Sequence, residues 1–230
     1  PKYFPSNVEL NKKGCEDVST IINKSLIPIN IDSFNLLKKQ GDVLILDVRS
    51  KSLFSEGHIP GSLFIGLEGM FAPWAGTLIE DIKQKIIIVS SKGKEKEAIT
   101  RLARVGFDNV LGFLDGGYDK WVKSSGKIKK IRSISAEKFV SEIKASNTNV
   151  YDVRSVEEFK IGHFPGAKNT PLKHIDKHFT ELKKNTPFYI YCKAGYRSVV
   201  ASSVINRIND LKLINVKGGY DLIEKLIVPS

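Results

Sequence analysis

Short apolar runs alternate with amphipathic segments along most of the chain. Branched and aromatic residues fill runs such as Phe188–Tyr191 and Leu213–Val216, whose length and composition are typical of buried β-strands. Between these runs, apolar positions recur every three or four residues, as in segment 198–208, and this spacing predicts α-helices. Because strands separated by helices pair in parallel, the pattern predicts an α/β fold with helices on both faces of each sheet.

The pattern occurs twice, because the chain contains one internal repeat. Three segments recur at offsets of 105, 105 and 102 positions, namely 43–50 as 149–155, 57–62 as 162–167, and 115–119 as 217–221. We therefore predict two tandem domains, residues 29–125 and 131–230, which we call the first and second repeats. Residues 1–28 belong to neither repeat, and we interpret them as a tail or the remnant of an upstream domain.

Composition limits the kind of protein this can be. The net charge is +11 over 230 residues, and the excess is spread over both repeats, as expected of a lysine-rich solvated surface that is compatible with small anionic substrates. The absence of a focused basic patch argues against nucleic-acid binding. No apolar run approaches the roughly 20 residues that cross a bilayer, and no segment has the features of a signal peptide. We therefore expect a cytoplasmic protein without membrane contact.

The two cysteines, Cys15 and Cys192, lie in unlike contexts and predict no disulfide framework. We assign Cys15 no role. Cys192 directly follows the strand 188–191 and precedes a helix expected to begin near Ser198, so it lies at the carboxyl edge of a parallel sheet, where ligands bind. A helix N-terminus stabilises an anion, and this setting favours a thiolate. Cys192 is therefore a candidate nucleophile, and the alternative is a buried structural cysteine.

The residues after Cys192 suit a nucleophilic role. Lys193 and Arg197 add positive charge, and Gly195 allows backbone amides to turn inwards. Such amides stabilise the charged outer sulfur of a cysteine persulfide. A sulfur packed away from solvent, with the neighbouring amides directed elsewhere, would exclude this role.

In these features the chain resembles a tandem pair of rhodanese domains over residues 29–230. The second repeat carries Asp152-Val153-Arg154, then Gly-His-Phe-Pro-Gly-Ala at 162–167, then a cysteine and an arginine separated by four residues. The resemblance implies a parallel sheet of about five strands in each domain and sulfane-sulfur transfer through a persulfide on Cys192. It also implies an anion-binding loop that comprises Lys193, Ala194, Gly195, Tyr196, Arg197 and Ser198. We expect Asp152 and Arg154 to support the loops around the site rather than to react.

Two alternatives to a sulfurtransferase are a thiol phosphatase and a noncatalytic sulfur-sensing or scaffold module. Thiol phosphatases related to this fold place five residues between cysteine and arginine, because phosphate is wider than sulfur, whereas four residues intervene here. This spacing favours sulfur transfer over phosphate hydrolysis. The noncatalytic alternative stays open, and release of thiocyanate from cyanide would distinguish it from an enzyme.

The first repeat departs from the pattern at the reacting position. Alignment of segment 88–95 with 190–197 places Ser90 at the cysteine and Glu95 at the arginine. A serine hydroxyl carries no persulfide and a glutamate repels anions, so we expect the first repeat to be catalytically degenerate. Its apolar segment 69–76 is expected to be a loop that folds over the core or serves as a docking patch.

A degenerate repeat followed by an intact one, after a Pro-rich segment, resembles the C-terminal part of metallo-β-lactamase-fold proteins fused to rhodaneses, of the persulfide dioxygenase type. This resemblance implies an upstream domain with an iron site, a glutathione persulfide as partner, and a role in sulfide metabolism. In this chain itself we expect no cofactor and no metal site. His58 and His163 lack further ligands at the required spacing, and the pair of His174 and His178 is a weak signal.

Overall fold

A computed structural model describes residues 17–143, 149–175, 187–208 and 211–227. Residues 1–16, which include Cys15, and His178 lie outside the described residues. The described chain divides into two compact units near Lys129, and only the short segment Ser55–Gly57 groups with the second unit instead of the first. The first unit contains the first repeat together with the described residues 17–28, which by sequence belong to neither repeat, and the second unit contains the second repeat.

The first unit is built on five parallel strands. The strands are β1 (Pro28–Ile29), β2 (Val43–Asp47), β3 (Leu63–Phe64), β4 (Lys85–Val89) and β5 (Val110–Leu114). The helices are α1 (Val18–Ser25), α2 (Ile31–Gln40), α3 (Lys51–Glu56), α4 (Phe71–Leu78), α5 (Glu95–Ala103) and α6 (Gly117–Lys123). The strand order in the sheet is β1-β5-β4-β2-β3.

The second unit repeats this architecture. Its strands are β6 (Ser133–Ile134), β7 (Asn149–Asp152), β8 (Lys168–Asn169), β9 (Phe188–Tyr191) and β10 (Leu213–Val216), in the parallel order β6-β10-β9-β7-β8. Its helices are α7 (Ala136–Ile143), α8 (Val156–Ile161), α9 (Tyr196–Ile208) and α10 (Tyr220–Ile227), with a 3-10 turn at Leu172–His174. The two sheets with helices confirm the predicted fold class. Within the described residues, no helix combines the length and apolar character needed to cross a bilayer.

The central strands of both sheets form because their side chains are buried on both faces. Residues 86–89 of β4 are all 0% exposed, and their branched side chains fit a pleated surface between helix layers. The equivalent strand β9 is aromatic instead. In the core of the second unit, the ring of Phe139 from α7 packs edge-on against Phe164 and Tyr189, at centroid distances of 4.9 and 5.2 Å.

Polar side chains fix the start of two helices in the second unit. The backbone N–H of Lys138 donates at 3.3 Å to Oγ of Ser135, the residue that directly precedes α7. At α8, the N–H of Glu158 donates to Ser155 Oγ at 3.2 Å, and the N–H of Ser155 donates to Glu158 Oε2 at 3.1 Å. This capping box fixes the first turn of α8, which carries Glu158.

The prediction of a loop at 69–76 is wrong, because the structure contains helix α4 there. Pro73 falls in the first turn, where a missing N–H leaves no intrahelical hydrogen bond unmade. Thr77 Oγ1 donates to the Pro73 carbonyl at 2.7 Å. Phe71 is buried while Met70 is 64% exposed, so the helix packs on the core and the methionine does not.

The loop after β9 is shorter than predicted. Helix α9 begins at Tyr196, two residues before the predicted start at Ser198, so Arg197 lies within its first turn. Strands β7 and β9 are neighbours, and the last residue of one, Asp152, is in register with the last residue of the other, Tyr191. The segments that follow both strands therefore leave the sheet at the same edge.

We predict that Phe139→Ala lowers the free energy of unfolding by about 3–5 kcal/mol, because a fully buried aromatic ring is removed from a packed cluster. The control Ile161→Ala, at a side chain in the same unit that is 90% exposed, should change it by less than about 0.5 kcal/mol. Urea unfolding followed by far-UV circular dichroism measures both. Equal losses in the two variants would contradict the assigned core.

Candidate active site around Cys192

Cys192 lies in the four-residue connection between β9 and α9. The backbone N–H of Gly195 donates to Cys192 Sγ at 3.1 Å. The sulfur also lies 3.7 Å from Oγ of the buried Ser198, which itself donates to the Gly195 carbonyl at 3.2 Å. Gly195 has a φ of 92°, a left-handed conformation that favours glycine. The loop therefore turns back on itself and directs an amide at the sulfur.

The thiol lies beneath the loop. Cys192 is a free cysteine with 1% of its surface exposed, whereas Lys193 and Ala194 directly after it are exposed. This burial is what the structural alternative predicts. A nucleophilic role would be excluded if the sulfur were buried and the neighbouring amides also pointed elsewhere. The sulfur is buried, but the Gly195 amide points at Sγ, so the nucleophilic role is not excluded.

Arg197 is paired with a glutamate that sequence reasoning missed. Its Nη1 and Nη2 donate to Glu158 Oε2 and Oε1 at 2.5 and 2.7 Å, across 39 positions of sequence. Mainly through these hydrogen bonds, Arg197 lowers the pKa of Glu158 from 4.5 to about 2, and Glu158 raises the pKa of Arg197. The positive charge of Arg197 is therefore largely compensated, whereas Lys193 is exposed.

The signal for Glu158 was present in the sequence as the spacing Ser155-x-x-Glu158, which is typical of a capping box. That spacing predicts a helix start but not a partner for Arg197, since the ion pair depends on how α8 packs beside α9. At the offset of 105 positions, the first repeat has Leu53 in place of Glu158.

Asp152 and Arg154 form a buried ion pair next to the site. Arg154 Nε and Nη2 donate to Asp152 Oδ2 at 2.9 and 2.7 Å, and its backbone N–H donates to Oδ1 at 2.9 Å. The guanidinium also donates to the Gly162 carbonyl at 2.6 Å and lies 4.0 Å above the ring of Tyr220. These contacts join the loop after β7, the segment before β8 and the start of α10, which is the arrangement a supporting role requires.

The first unit contains the same ion pair. Arg49 Nε and Nη2 donate to Asp47 at 3.0 and 2.6 Å, and the guanidinium lies 4.0 Å above the ring of Tyr118. The connection between β4 and α5 differs, because Ser90 Oγ donates to Glu95 Oε1 at 3.1 Å. In the first unit, the serine at the position of Cys192 is thus hydrogen-bonded to the glutamate at the position of Arg197.

The two repeated histidines make equivalent local contacts. His58 stacks on Phe54 at 4.1 Å and His163 on Phe159 at 3.8 Å, and each Nδ1 lies within 3.0 Å of the carbonyl four residues before it. Burial lowers the pKa of His58 to about 4, whereas His163 is exposed. In the described part of the chain, no three His, Cys, Asp or Glu side chains cluster in a way that would hold a metal ion.

We predict that Glu158→Gln lowers the free energy of unfolding at pH 7 by about 1–2 kcal/mol, after allowance for solvent screening of this half-buried pair. Gln preserves the capping box, so the variant tests the ion pair. Because the folded-state pKa of Glu158 is lowered, its contribution is complete above pH 4.5 and is lost as the pH falls towards 2. The difference between wild type and variant should shrink over this range.

Urea titrations at several pH values measure this difference. Glu224→Gln serves as the control, since this exposed glutamate lies on α10 in the same unit. A difference between wild type and Glu158→Gln that stays constant down to pH 2 would contradict the assigned ion pair.

Comparison with known proteins adds to this geometry. The protein YrkF of Bacillus subtilis (strain 168), named provisionally as a sulfur carrier protein, is 35% identical over 97 residues, which are 42% of this chain and 52% of YrkF. The tRNA uridine(34) hydroxylase of Pelagibacter ubique (strain HTCC1062) is 25% identical over 189 residues, which are 79% of this chain and 61% of the hydroxylase. The chain spans about half the length of the first two curated relatives it matches.

Among solved structures, a thiosulfate sulfurtransferase from Pseudomonas aeruginosa matches with a TM-score of 0.40 and 18% identity, over 84% of this chain and 41% of that protein. The family model for the rhodanese-like domain matches residues 30–124 and again residues 135–226. Because these two matches cover most of the sequence and each contains four of the five strands of one sheet, the chain belongs to the family of proteins with rhodanese-like domains.

Proposed function

We propose that the second repeat is a sulfurtransferase that carries sulfane sulfur as a persulfide on Cys192. The donor is thiosulfate or a glutathione-type persulfide, and the acceptor is a thiol or cyanide. The observation that carries the proposal is the Gly195 amide 3.1 Å from Cys192 Sγ, at the start of α9. A donor at this position stabilises negative charge on the sulfur before and after transfer.

The reaction is balanced without an external oxidant or reductant. The Cys192 thiolate, whose proton has left to solvent, attacks the sulfane sulfur of thiosulfate. A bond forms between Sγ and that sulfur, the sulfur–sulfur bond of thiosulfate breaks, and sulfite leaves with the electron pair. Cyanide or a thiolate then attacks the outer sulfur of the persulfide, and the electron pair of the persulfide bond returns to Sγ.

Each loop residue has a part in this proposal. The backbone amides of Lys193, Ala194 and Gly195 surround the outer sulfur, and the Ser198 hydroxyl lies next to Sγ. Arg197 acts with Glu158 to fix the first turn of α9, which begins at Tyr196. Asp152 holds Arg154, whose guanidinium lies over the ring of Tyr220, and the backbone N–H of Tyr220 donates to the Cys192 carbonyl. The relative YrkF, named for carrying sulfur, supports this class of chemistry.

The first repeat takes no part in the transfer on this proposal. Ser90 hydrogen-bonds to Glu95, and neither side chain carries sulfur. An upstream metallo-β-lactamase-like domain with iron, the coupling to persulfide oxidation, and a cytoplasmic location stay predictions. Sequencing of the complete gene tests the first of these.

A second candidate function is a noncatalytic sulfur-sensing or scaffold module. The 1% exposure of Cys192 favours it, because a thiol beneath its own loop reacts only when the loop admits a donor. On this alternative, the protein does not convert cyanide and thiosulfate to thiocyanate.

We predict that wild-type protein incubated with thiosulfate or glutathione persulfide gains the mass of one sulfur atom, and that Cys192→Ser gains none. Serine removes the nucleophile and leaves the backbone amides in place. Intact-protein mass spectrometry measures the adduct, and thiocyanate release measures turnover.

Cys15→Ser is the matched control, because it removes the other cysteine and should keep both the adduct and the turnover. An adduct that persists in Cys192→Ser overturns the assignment of the nucleophile. Wild-type protein that gains sulfur but releases no thiocyanate supports the noncatalytic module, and hydrolysis of an aryl phosphate that depends on Cys192 supports a phosphatase.

A further inference from the structure

The start of α10 holds the carbonyl side of the cysteine loop. The backbone N–H of Tyr220 donates to the Cys192 carbonyl at 2.7 Å, and the N–H of Asp221 donates to the Lys193 carbonyl at 3.1 Å. These contacts join segments nearly 30 positions apart in sequence. They bind two consecutive peptide groups of the loop to one helix start.

Because peptide groups are planar, these two hydrogen bonds also determine where the N–H groups of Lys193 and Ala194 point. In a trans peptide the C=O and the following N–H point in opposite directions, and the described residues contain no cis peptide. When the Cys192 carbonyl is held against α10, the N–H of Lys193 points away from α10. In the same way, holding the Lys193 carbonyl directs the N–H of Ala194 away from that helix.

The amide of the next peptide group, that of Gly195, points at the sulfur. The N–H of Gly195 donates to Cys192 Sγ. Three successive peptide groups thus have defined orientations, two through their carbonyls and one through its amide. The two bonds from α10 restrict rotation of the peptides on either side of Lys193, and they therefore help to fix the direction of the following amides.

Gly219 allows α10 to come this close. It has a φ of 62°, and a Cβ at this position would lie 2.2 Å from the Cys192 carbonyl oxygen and 2.5 Å from that of Lys193. Any side chain must therefore displace the loop or the helix. Gly218, the preceding residue, has a φ of 78°, but the three atoms nearest to a Cβ there all belong to the side chain of Leu222.

We infer that Gly219 and the N–H groups of Tyr220 and Asp221 form a positioning clamp, which orients the loop amides towards the sulfur that Cys192 transfers. The contacts that define the clamp are made with loop carbonyls and not with Cys192 Sγ, so these residues act through the loop. The inference rests on the proposed sulfurtransferase function for its catalytic consequence, while the orientation of the loop amides is testable without turnover.

The test compares Gly219→Asn with Gly218→Asn. Asn tolerates positive φ better than other residues, so backbone strain is similar in the two variants and only one meets the loop carbonyls. We expect Gly219→Asn to lose about 100-fold in kcat/KM for thiocyanate formation, the cost of a displacement of about 1 Å at a reacting centre. For Gly218→Asn, kcat/KM should stay within about threefold of the wild-type value, because this substitution does not displace the loop carbonyls.

A second control lies in the first repeat, where Gly117 has a φ of 58° and its Cβ would lie 2.9 Å from the Ser90 carbonyl oxygen. Gly117→Asn makes the same kind of substitution beside a loop without a cysteine, and thiocyanate formation should be unchanged. Gly219→Ala introduces the same contact with a smaller side chain and replaces Gly219→Asn where that variant does not fold.

The readout that does not depend on turnover is the ¹⁵N–¹H spectrum of the protein without a sulfur donor. The amide signals of Lys193, Ala194 and Gly195 should shift in Gly219→Asn and remain in place in Gly218→Asn and Gly117→Asn. If the wild type takes up no sulfur, the proposed function fails, and these signals still test the clamp. Unshifted signals in Gly219→Asn, or equal losses of activity in Gly218→Asn, overturn the clamp.

Discussion

The backbone between β9 and α9 has to satisfy its hydrogen-bonding groups within four residues, and this constraint shapes the whole site. A strand exchanges N–H and C=O groups with its neighbours, and a helix leaves its first N–H groups without partners. In the second unit, two carbonyls of the connection bind α10 and one amide binds the sulfur. The sulfur of Cys192 thus accepts a backbone hydrogen bond and is also the candidate nucleophile.

This arrangement determines what kind of charge stabilisation is available. The chain is strongly basic overall, with a net charge of +11, yet the arginines nearest to Cys192 are neutralised by Glu158 and Asp152. Removing one member of such a pair leaves the other charge without compensation, which costs more than the pair itself contributes. On the proposed function, an anionic sulfur would therefore be stabilised mainly by oriented peptide dipoles, and the general positive charge would attract anions at longer range.

Much of this fold follows from local patterns that a sequence displays. The strands β9 and β10 coincide with apolar runs, and the offset between repeats predicted two equivalent sheets. Helix α4 was missed because a proline between glycines is typical of loops, although a proline in a first turn is compatible with a helix. Here the packing of the buried Phe71 decided the structure, and that depends on residues distant in sequence.

The site was less predictable, because its contacts link separate elements. The loop itself could be located from the strand, the cysteine and the following helix. The burial of the cysteine could not be predicted, since the 1% exposure of Cys192 depends on how α9 and α10 pack around it. The partner of Arg197 and the contact of Gly219 with the loop carbonyls likewise arise from packing between elements far apart in the chain.

The two repeats together separate what the fold requires from what the chemistry requires. The buried Asp–Arg pair, the stacked histidine and the Gly-Gly turn occur in both units, although only one contains a cysteine at the loop. Three positions differ as a set, with Cys192, Arg197 and Glu158 in one unit and Ser90, Glu95 and Leu53 in the other. The set is physically consistent, because the carboxylate of Glu158 pairs with the guanidinium of Arg197 in the second unit, whereas the first unit has neither member of that pair at the equivalent positions. In the first unit Glu95 accepts a hydrogen bond from Ser90 instead, and this contact agrees with the proposal that the first repeat takes no part in sulfur transfer.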